Sequence, residues 1–246
     1  VSATVTGANA STAPAVSSRP ATFRPRLPRC NKRGPGALRH GVLAAALLMH
    51  CAHAATDLSL ESADAVNEGQ LHFLETPPAK PLHHHQNRIR IDADSLASGW
   101  VGLYQCHDRL DAVPLLQITF REGYVRDLKI DLASGIGHAR VEGASVQLRN
   151  VEPGARLCLS AQTRALRNTG NGYFSLFNGP YMRKFLDGYY PMRVTLEVDY
   201  PAESLQLIDV SPAPQPGLSF DERPGNIRLE TLFEGELRLL LQFERR

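Results

Sequence analysis

The residues best suited to chemistry in this chain are histidines. Residues 82–86 read Leu-His-His-His-Gln, and a further histidine, His107, precedes Asp108. On an extended strand, His83 and His85 lie on the same face, and neutral imidazole is the commonest metal ligand in proteins. The pattern favours an exposed polar run that binds metal weakly and without specificity. The alternative is a copper or zinc site formed by His83, His85 and His107.

A second chemically capable group lies between residues 179 and 193. This stretch concentrates aromatic and cationic side chains, which are enriched in binding hot spots because they offer large contact areas and charge-assisted hydrogen bonds. We expect a binding surface for an envelope protein, an anionic glycan or a lipid headgroup. Alternatively, the same residues form a helical turn that closes one end of the fold. The candidate surface residues are Tyr181, Arg183, Lys184, Tyr189, Tyr190 and Arg193.

Hydrolase chemistry has little support in the sequence. There is no Gly-x-Ser-x-Gly elbow, no His-Glu-x-x-His and no phosphate-binding loop. Asp108 and Asp111 could assist His107 as ligands, as acceptors for a ligand or as a general base, but no nucleophile accompanies them. The sequence favours a protein without catalytic activity and leaves a metal-dependent hydrolase as a second alternative. We expect no cofactor unless copper or zinc binds the histidines.

The elements that must position these residues have the pattern of short strands. Apolar and polar residues alternate at 116–120 and 128–132, which predicts a hairpin, and turn signals such as Asn171-Gly172 recur along the chain. This pattern predicts one antiparallel β-sandwich or flattened barrel. A proline before and a glycine at the end of 181–188 predict one short helical turn there.

Residues 1–54 have the features of a cleaved signal peptide. A basic region precedes the apolar stretch 42–49, and Ala52-His53-Ala54 offers a small-x-small cleavage site. That stretch is too short to span a bilayer, which takes about 20 residues. We expect an exported protein, periplasmic or secreted, with no transmembrane segment. An organellar transit peptide is the alternative, and the length of the leader indicates a true start further downstream, near Leu27.

Removing the leader changes the charge and the cysteine count. It takes away seven of the 27 basic residues and none of the 25 acidic ones, so the mature chain carries a net charge of −5. An acidic surface argues against nucleic-acid binding, which needs clustered Lys and Arg. Only Cys106 and Cys158 remain. In an oxidising compartment we expect them to form a structural disulfide; two separate buried thiols are the alternative.

The mature chain divides into three parts. Residues 55–82 are polar and contain Pro77, Pro78 and Pro81, which predicts an extended, flexible leading segment. Residues 83–211 form the sandwich, and residues 217–246 form a C-terminal hairpin that completes or flanks it. The sequence therefore predicts an exported, soluble, non-catalytic binding or assembly module of the periplasm or cell envelope.

Overall fold

The computed structural model describes residues 67–185 and 188–246, so the predicted signal peptide lies outside the described residues. This part of the chain is almost entirely β, with one short helix, α1 (Ala93–Ser98). None of its helices is long and apolar enough to cross a lipid bilayer. The strands in chain order are β1 (His72–Phe73), β2 (His84–Arg90), β3 (Val101–Leu110), β4 (Val113–Thr119), β5 (Val125–Glu142), β6 (Ser145–Thr163), β7 (Leu166–Gly170), β8 (Tyr173–Tyr181), β9 (Lys184–Phe185), β10 (Gly188–Tyr189), β11 (Met192–Asp199), β12 (Leu205–Ser211), β13 (Leu218–Arg223), β14 (Asn226–Glu234) and β15 (Leu237–Arg245).

Two main sheets share one apolar core. The larger sheet has the order β1-β14-β11-β2-β3-β6-β4, with β13 on β14 and β5 on β6, and the smaller sheet has the order β12-β15-β8-β7. Buried residues of both sheets, such as Ile89, Leu196 and Leu241, belong to the same cluster. The predicted all-β fold is confirmed, and the sheets do not close into a barrel. One pairing departs from the antiparallel expectation, because β2 runs parallel to β11.

The hairpin predicted from 116–120 and 128–132 is wrong. Both β4 and β5 pair with β6. The hairpin that forms instead joins β5 to β6 through Gly143, which has a φ of 57°. Glycine adopts this left-handed conformation without the steric cost that other residues incur. The alternation therefore located the strands correctly but not their partners.

The predicted C-terminal hairpin is wrong in its pairing as well. Strand β14 lies inside the larger sheet, paired with β11 and β13, whereas β15 lies inside the smaller one, between β8 and β12. The chain passes from one sheet to the other at Gly235, which has a φ of 88° and where a Cβ would lie 1.9 Å from the backbone oxygen of Gln70. Residues 217–246 thus complete the sandwich by supplying two strands, β13 and β14, to the larger sheet and one, β15, to the smaller.

The helical turn predicted near 181–188 is also wrong. Strand β8 continues to Tyr181, and β9 then pairs with β10. Tertiary packing overrides the local helix signals here, because Tyr181 must stay extended for its ring to reach the core. The helix that does form, α1, begins at a capping box in which Asp92 Oδ1 accepts from the backbone N–H of Ser95 at 2.9 Å.

The predicted disulfide is present. Cys106 on β3 and Cys158 on β6 are direct register partners, with Cα atoms 4.1 Å apart, and their sulfurs are bonded. Both residues are buried. The bond therefore joins two neighbouring strands in the larger sheet. Its first cysteine, Cys106, directly precedes His107 on β3.

Candidate functional site

The three histidines considered as metal ligands come together inside the sandwich. His85 and His107 are register partners on β2 and β3, and His83 immediately precedes β2. All three residues are 3% exposed or less. His83 Nε2 lies 3.0 Å from His107 Nδ1, and the ring centroids of His85 and His107 are 4.2 Å apart. His84 lies on the opposite face, as the alternation predicts, and bonds Thr195 Oγ1. We call His83, His85 and His107 the histidine cluster.

Buried side-chain amides and a tyrosine surround the histidine cluster. Asn87 Oδ1 accepts from His85 Nε2 at 2.9 Å. Asn87 Nδ2 donates to Asn178 Oδ1 at 3.1 Å and to the Tyr181 hydroxyl at 2.9 Å. Because Asn87 belongs to β2, and Asn178 and Tyr181 belong to β8, these bonds connect the two sheets. The alternation that places His83 and His85 on this face places Asn87 there too, whereas Asn178 comes from a distant strand and has no such signal.

Burial keeps the histidine cluster neutral. Desolvation, with a smaller contribution from the Arg183 guanidinium, lowers the pKa of His83 to about 3. Desolvation and the neighbouring His83 lower the pKa of His85 to about 3. The pKa of His107 is well below its usual value, again because of desolvation and then because of His85. Neutral imidazole is the form that can coordinate a metal ion, because one ring nitrogen keeps its lone pair.

The cluster is not arranged as a three-ligand metal site. Among residues 67–185 and 188–246, no group of three or more His, Cys, Asp or Glu side chains is placed to hold a metal ion. His83 and His107 face each other through ring nitrogens, whereas His85 Nε2 is bonded to Asn87. The carboxylates suggested as helpers are engaged elsewhere. Asp108 pairs with Arg156, and Asp111 pairs with Arg183.

The segment 179–193 supplies fewer surface residues than predicted. Tyr181 is only 2% exposed, so its assignment to a binding surface is wrong. Arg183 makes a two-pronged ion pair with Asp111, at 2.6 and 2.9 Å, which fixes its guanidinium against the fold. Lys184 Nζ lies 5.0 Å from the centre of the Tyr189 ring. Phe185 packs edge-on against Tyr190. That these residues bind a partner stays a prediction.

Residues 74–82 form an irregular strap with bends at 75–76 and 79–80, and nothing in the sequence connected it with a site. Its first residue is anchored by a hydrogen bond from Leu74 N–H to the Leu232 carbonyl, at 2.8 Å. Just past its other end, the His83 carbonyl accepts from the Arg193 N–H at 3.0 Å. Three prolines in the strap restrict its backbone. The prolines between two leucines, Leu74 and Leu82, were the only sequence signal for this feature.

A cavity of about 660 Å³ lies between the strap and the larger sheet. We call it the strap cavity. Apolar side chains line both of its walls, and among them Leu218 is buried. Charged side chains from β3, β11 and β14 also line it, namely Arg109, Arg193 and Glu230. Of the residues predicted for a binding surface, Arg193 is the one that lines this cavity.

Arg109 has a backbone conformation unlike that of the other cations around the strap cavity, Lys80 and Arg193. It lies where the register of β3 against β6 shifts, between His107 and Leu110, and it has a φ of 58°. Its exposed guanidinium makes no hydrogen bond or ion pair with any described residue, whereas Arg193 pairs with Glu230. The positive charge of Arg109 also affects His84. Burial and the charge of Arg193 are the larger causes that lower the pKa of His84 to about 4, and Arg109 makes a smaller contribution in the same direction.

No family model matches this chain. No curated protein matches it either. An M1 zinc metallopeptidase variant from Deinococcus radiodurans is 18% identical over 72% of this chain, with a TM-score of 0.34, and the match covers 43% of that protein. A candidate nutrient-binding protein from Legionella pneumophila is 11% identical over 73% of this chain and 68% of its own, with a TM-score of 0.36. Likenesses at this level carry no argument about function.

Proposed function

We propose that the protein is an exported, non-catalytic binding module that holds a small amphiphilic molecule in the strap cavity. The observation that carries the proposal is the cavity itself, whose volume of about 660 Å³ falls within the range of small-molecule sites, roughly 300–1,000 Å³. Apolar walls with a few placed polar groups are typical of such sites. Export rests on the leader at residues 1–54.

The strap makes this cavity a pre-formed site. Its two ends are held by backbone hydrogen bonds to β14 and β11, and Pro77, Pro78 and Pro81 limit the conformations open to the chain between them. A wall that is already ordered loses little conformational entropy when a ligand binds. This is the physical reason for placing binding here rather than on the open faces of the sheets.

Filling the cavity should weaken ligand binding. The probe is N-phenyl-1-naphthylamine, an uncharged dye that fluoresces in apolar surroundings. Ser219 lies on the cavity wall and is exposed, so Ser219→Phe should place a ring in the space and weaken dye affinity by about tenfold or more, which corresponds to about 1.4 kcal/mol. Fluorescence titration of the native and variant proteins measures this.

The matched control is Ser134→Phe, which adds the same ring at an exposed position of β5 outside the cavity lining. It should leave dye affinity unchanged. Absence of saturable dye binding to the native protein would contradict the proposal, and so would equal affinity of the native protein and the Ser219→Phe variant.

Copper or zinc binding by the histidine cluster is the second candidate function. It is favoured by the 3.0 Å separation of His83 Nε2 and His107 Nδ1. Two nitrogens on a tetrahedral zinc ion lie about 3.4 Å apart, given Zn–N bonds of about 2.0–2.1 Å, so a small movement would admit an ion. His85 Nε2 is bonded to Asn87, so Nδ1 is the His85 nitrogen that could serve as a third ligand.

Metal analysis of protein purified without a histidine tag tests this candidate. If the cluster is a metal site, native protein should carry one equivalent of copper or zinc, and His107→Gln should lose it. His138→Gln, which removes an exposed imidazole from β5, should retain it. Metal-free native protein whose melting temperature does not respond to either ion would rule the site out.

A further inference from the structure

We infer that the strap cavity selects anionic ligands with an apolar body, and that Arg109 binds the acid group. This inference rests on the proposed function of the strap cavity as a binding site and adds the chemical class of its ligand. The class is that of small amphiphilic monoacids, such as a medium-chain fatty acid.

The charges around the cavity leave one cation unbalanced. Five charged residues line it. Arg193 and Glu230 form a direct ion pair. Glu75 and Lys80 contribute opposite charges from the strap. The lining thus carries one net positive charge, and of its two cations without an ion-pair partner among the described residues, Lys80 and Arg109, Arg109 is the one fixed on a strand. A bound anion would balance this charge.

The unusual backbone conformation of Arg109 accompanies the position of its side chain on the cavity wall. A non-glycine residue at φ 58° is held in a conformation that side chains rarely adopt, and such positions cluster at functional sites. Irregularities in strand register redirect side chains out of the regular alternation. Here the irregularity places the Arg109 side chain on the cavity wall. The planar guanidinium can bind a carboxylate, sulfonate or phosphate through two parallel hydrogen bonds.

The rest of the lining suits an apolar body. Leu74, Pro81 and Leu82 line the strap side, and Leu218 and Leu232 line the sheet side. These walls can cover a hydrocarbon chain or a pair of aromatic rings, at roughly 25 cal/mol for each Å² removed from water. An acid group on Arg109 and an apolar body between the leucines would satisfy both parts of the cavity at once.

Two dyes with the same aromatic body separate the contributions of charge and apolar contact. 8-Anilinonaphthalene-1-sulfonate carries a sulfonate, and N-phenyl-1-naphthylamine lacks it. We expect native protein to bind the sulfonate dye about tenfold more tightly. Arg109→Gln, which removes the charge and keeps a long polar side chain, should lower the affinity for the sulfonate dye about tenfold and leave that for the neutral dye unchanged. Octanoate should displace the sulfonate dye at lower concentration than octanol.

The matched control is Arg149→Gln, since Arg149 is exposed on β6, outside the cavity lining, and makes no ion pair with a described residue. It should leave both affinities unchanged. If the native protein and the Arg109→Gln variant have the same affinity for each dye, the cavity binds ligands but does not select anions. In that case this inference fails, and the proposed function stands. If neither dye shows saturable binding, the proposed function fails with it. An equal loss in Arg149→Gln would assign the effect to general surface charge and overturn the inference.

Discussion

Lowering the pH from 7 to 5 is expected to destabilise the protein by about 6 kcal/mol, from the histidine cluster alone. The pKa values of His83 and His85 are lowered to about 3, and the pKa of His107 is lowered as well. An unfolded chain whose histidines have pKa values of about 6.5 gains about 2 kcal/mol from protonating each of them at pH 5. The folded chain gains nothing until the pH approaches the lowered values. Stability is therefore complete above about pH 6.5 and falls with the pH below it. Urea unfolding at a series of pH values measures the slope.

The change of unfolding free energy with pH, measured in histidine variants, tests whether the loss of stability at low pH comes from the histidine cluster. His107→Gln should reduce the dependence of unfolding free energy on pH by about one quarter between pH 6 and 5, whatever it does to stability at pH 7, because His84 also has a lowered pKa, so that one of four contributing imidazoles is gone. His138→Gln removes an imidazole that is exposed on β5 and should leave the slope as it is. A stability that stays constant from pH 7 to pH 5 would show that the three rings are not buried as neutral groups.

The shared face of His83 and His85 could be predicted from the sequence for a specific physical reason. A His-x-His spacing on a strand places both rings on one face whatever the strand pairs with. The convergence of His107 with them depended on one further fact, that β2 and β3 are neighbours in register. Sequential strands joined by a short connection are often neighbours. The cysteine pair could also be predicted from the sequence, because only Cys106 and Cys158 lie outside the predicted leader.

What the sequence could not supply was the set of contacts between distant segments. Alternation shows which face of a strand is buried but not which strand lies beside it, so the partners of β4 and β15 were missed. The prolines of the strap are visible in the sequence. The position of the strap over the larger sheet, however, depends on backbone hydrogen bonds from Leu74 to Leu232 and from Arg193 to His83. The conformation of Arg109 has no local signature, since arginine is not a residue that favours a positive φ. Its importance follows only from the pairing of β3 with β6.

Breaking the disulfide is expected to cost about 4 kcal/mol of unfolding free energy. Cys106 and Cys158 are separated by 52 residues, and the chain-entropy relation for a loop of this length gives about 4 kcal/mol at 25 °C. Most of that cost arises in the unfolded chain, which becomes free to expand. The double variant Cys106→Ala with Cys158→Ala should therefore unfold at a lower urea concentration and with a steeper dependence on urea, because more surface becomes exposed. Native protein unfolded in the presence of a reducing agent should give the same steeper dependence with no side chain changed.

Alkylation connects this bond to the compartment in which the protein matures. If the protein is exported to an oxidising compartment, neither Cys106 nor Cys158 should react with an alkylating agent after denaturation without reduction, and both should react after reduction. The same chain expressed without residues 1–54 in a reducing cytoplasm should react at both positions before any reductant is added. Because the two cysteines lie directly opposite each other on β3 and β6, the geometry for the bond is present in either case. Reaction of both cysteines in exported, unreduced protein would contradict the disulfide, and it would also remove the redox argument for export.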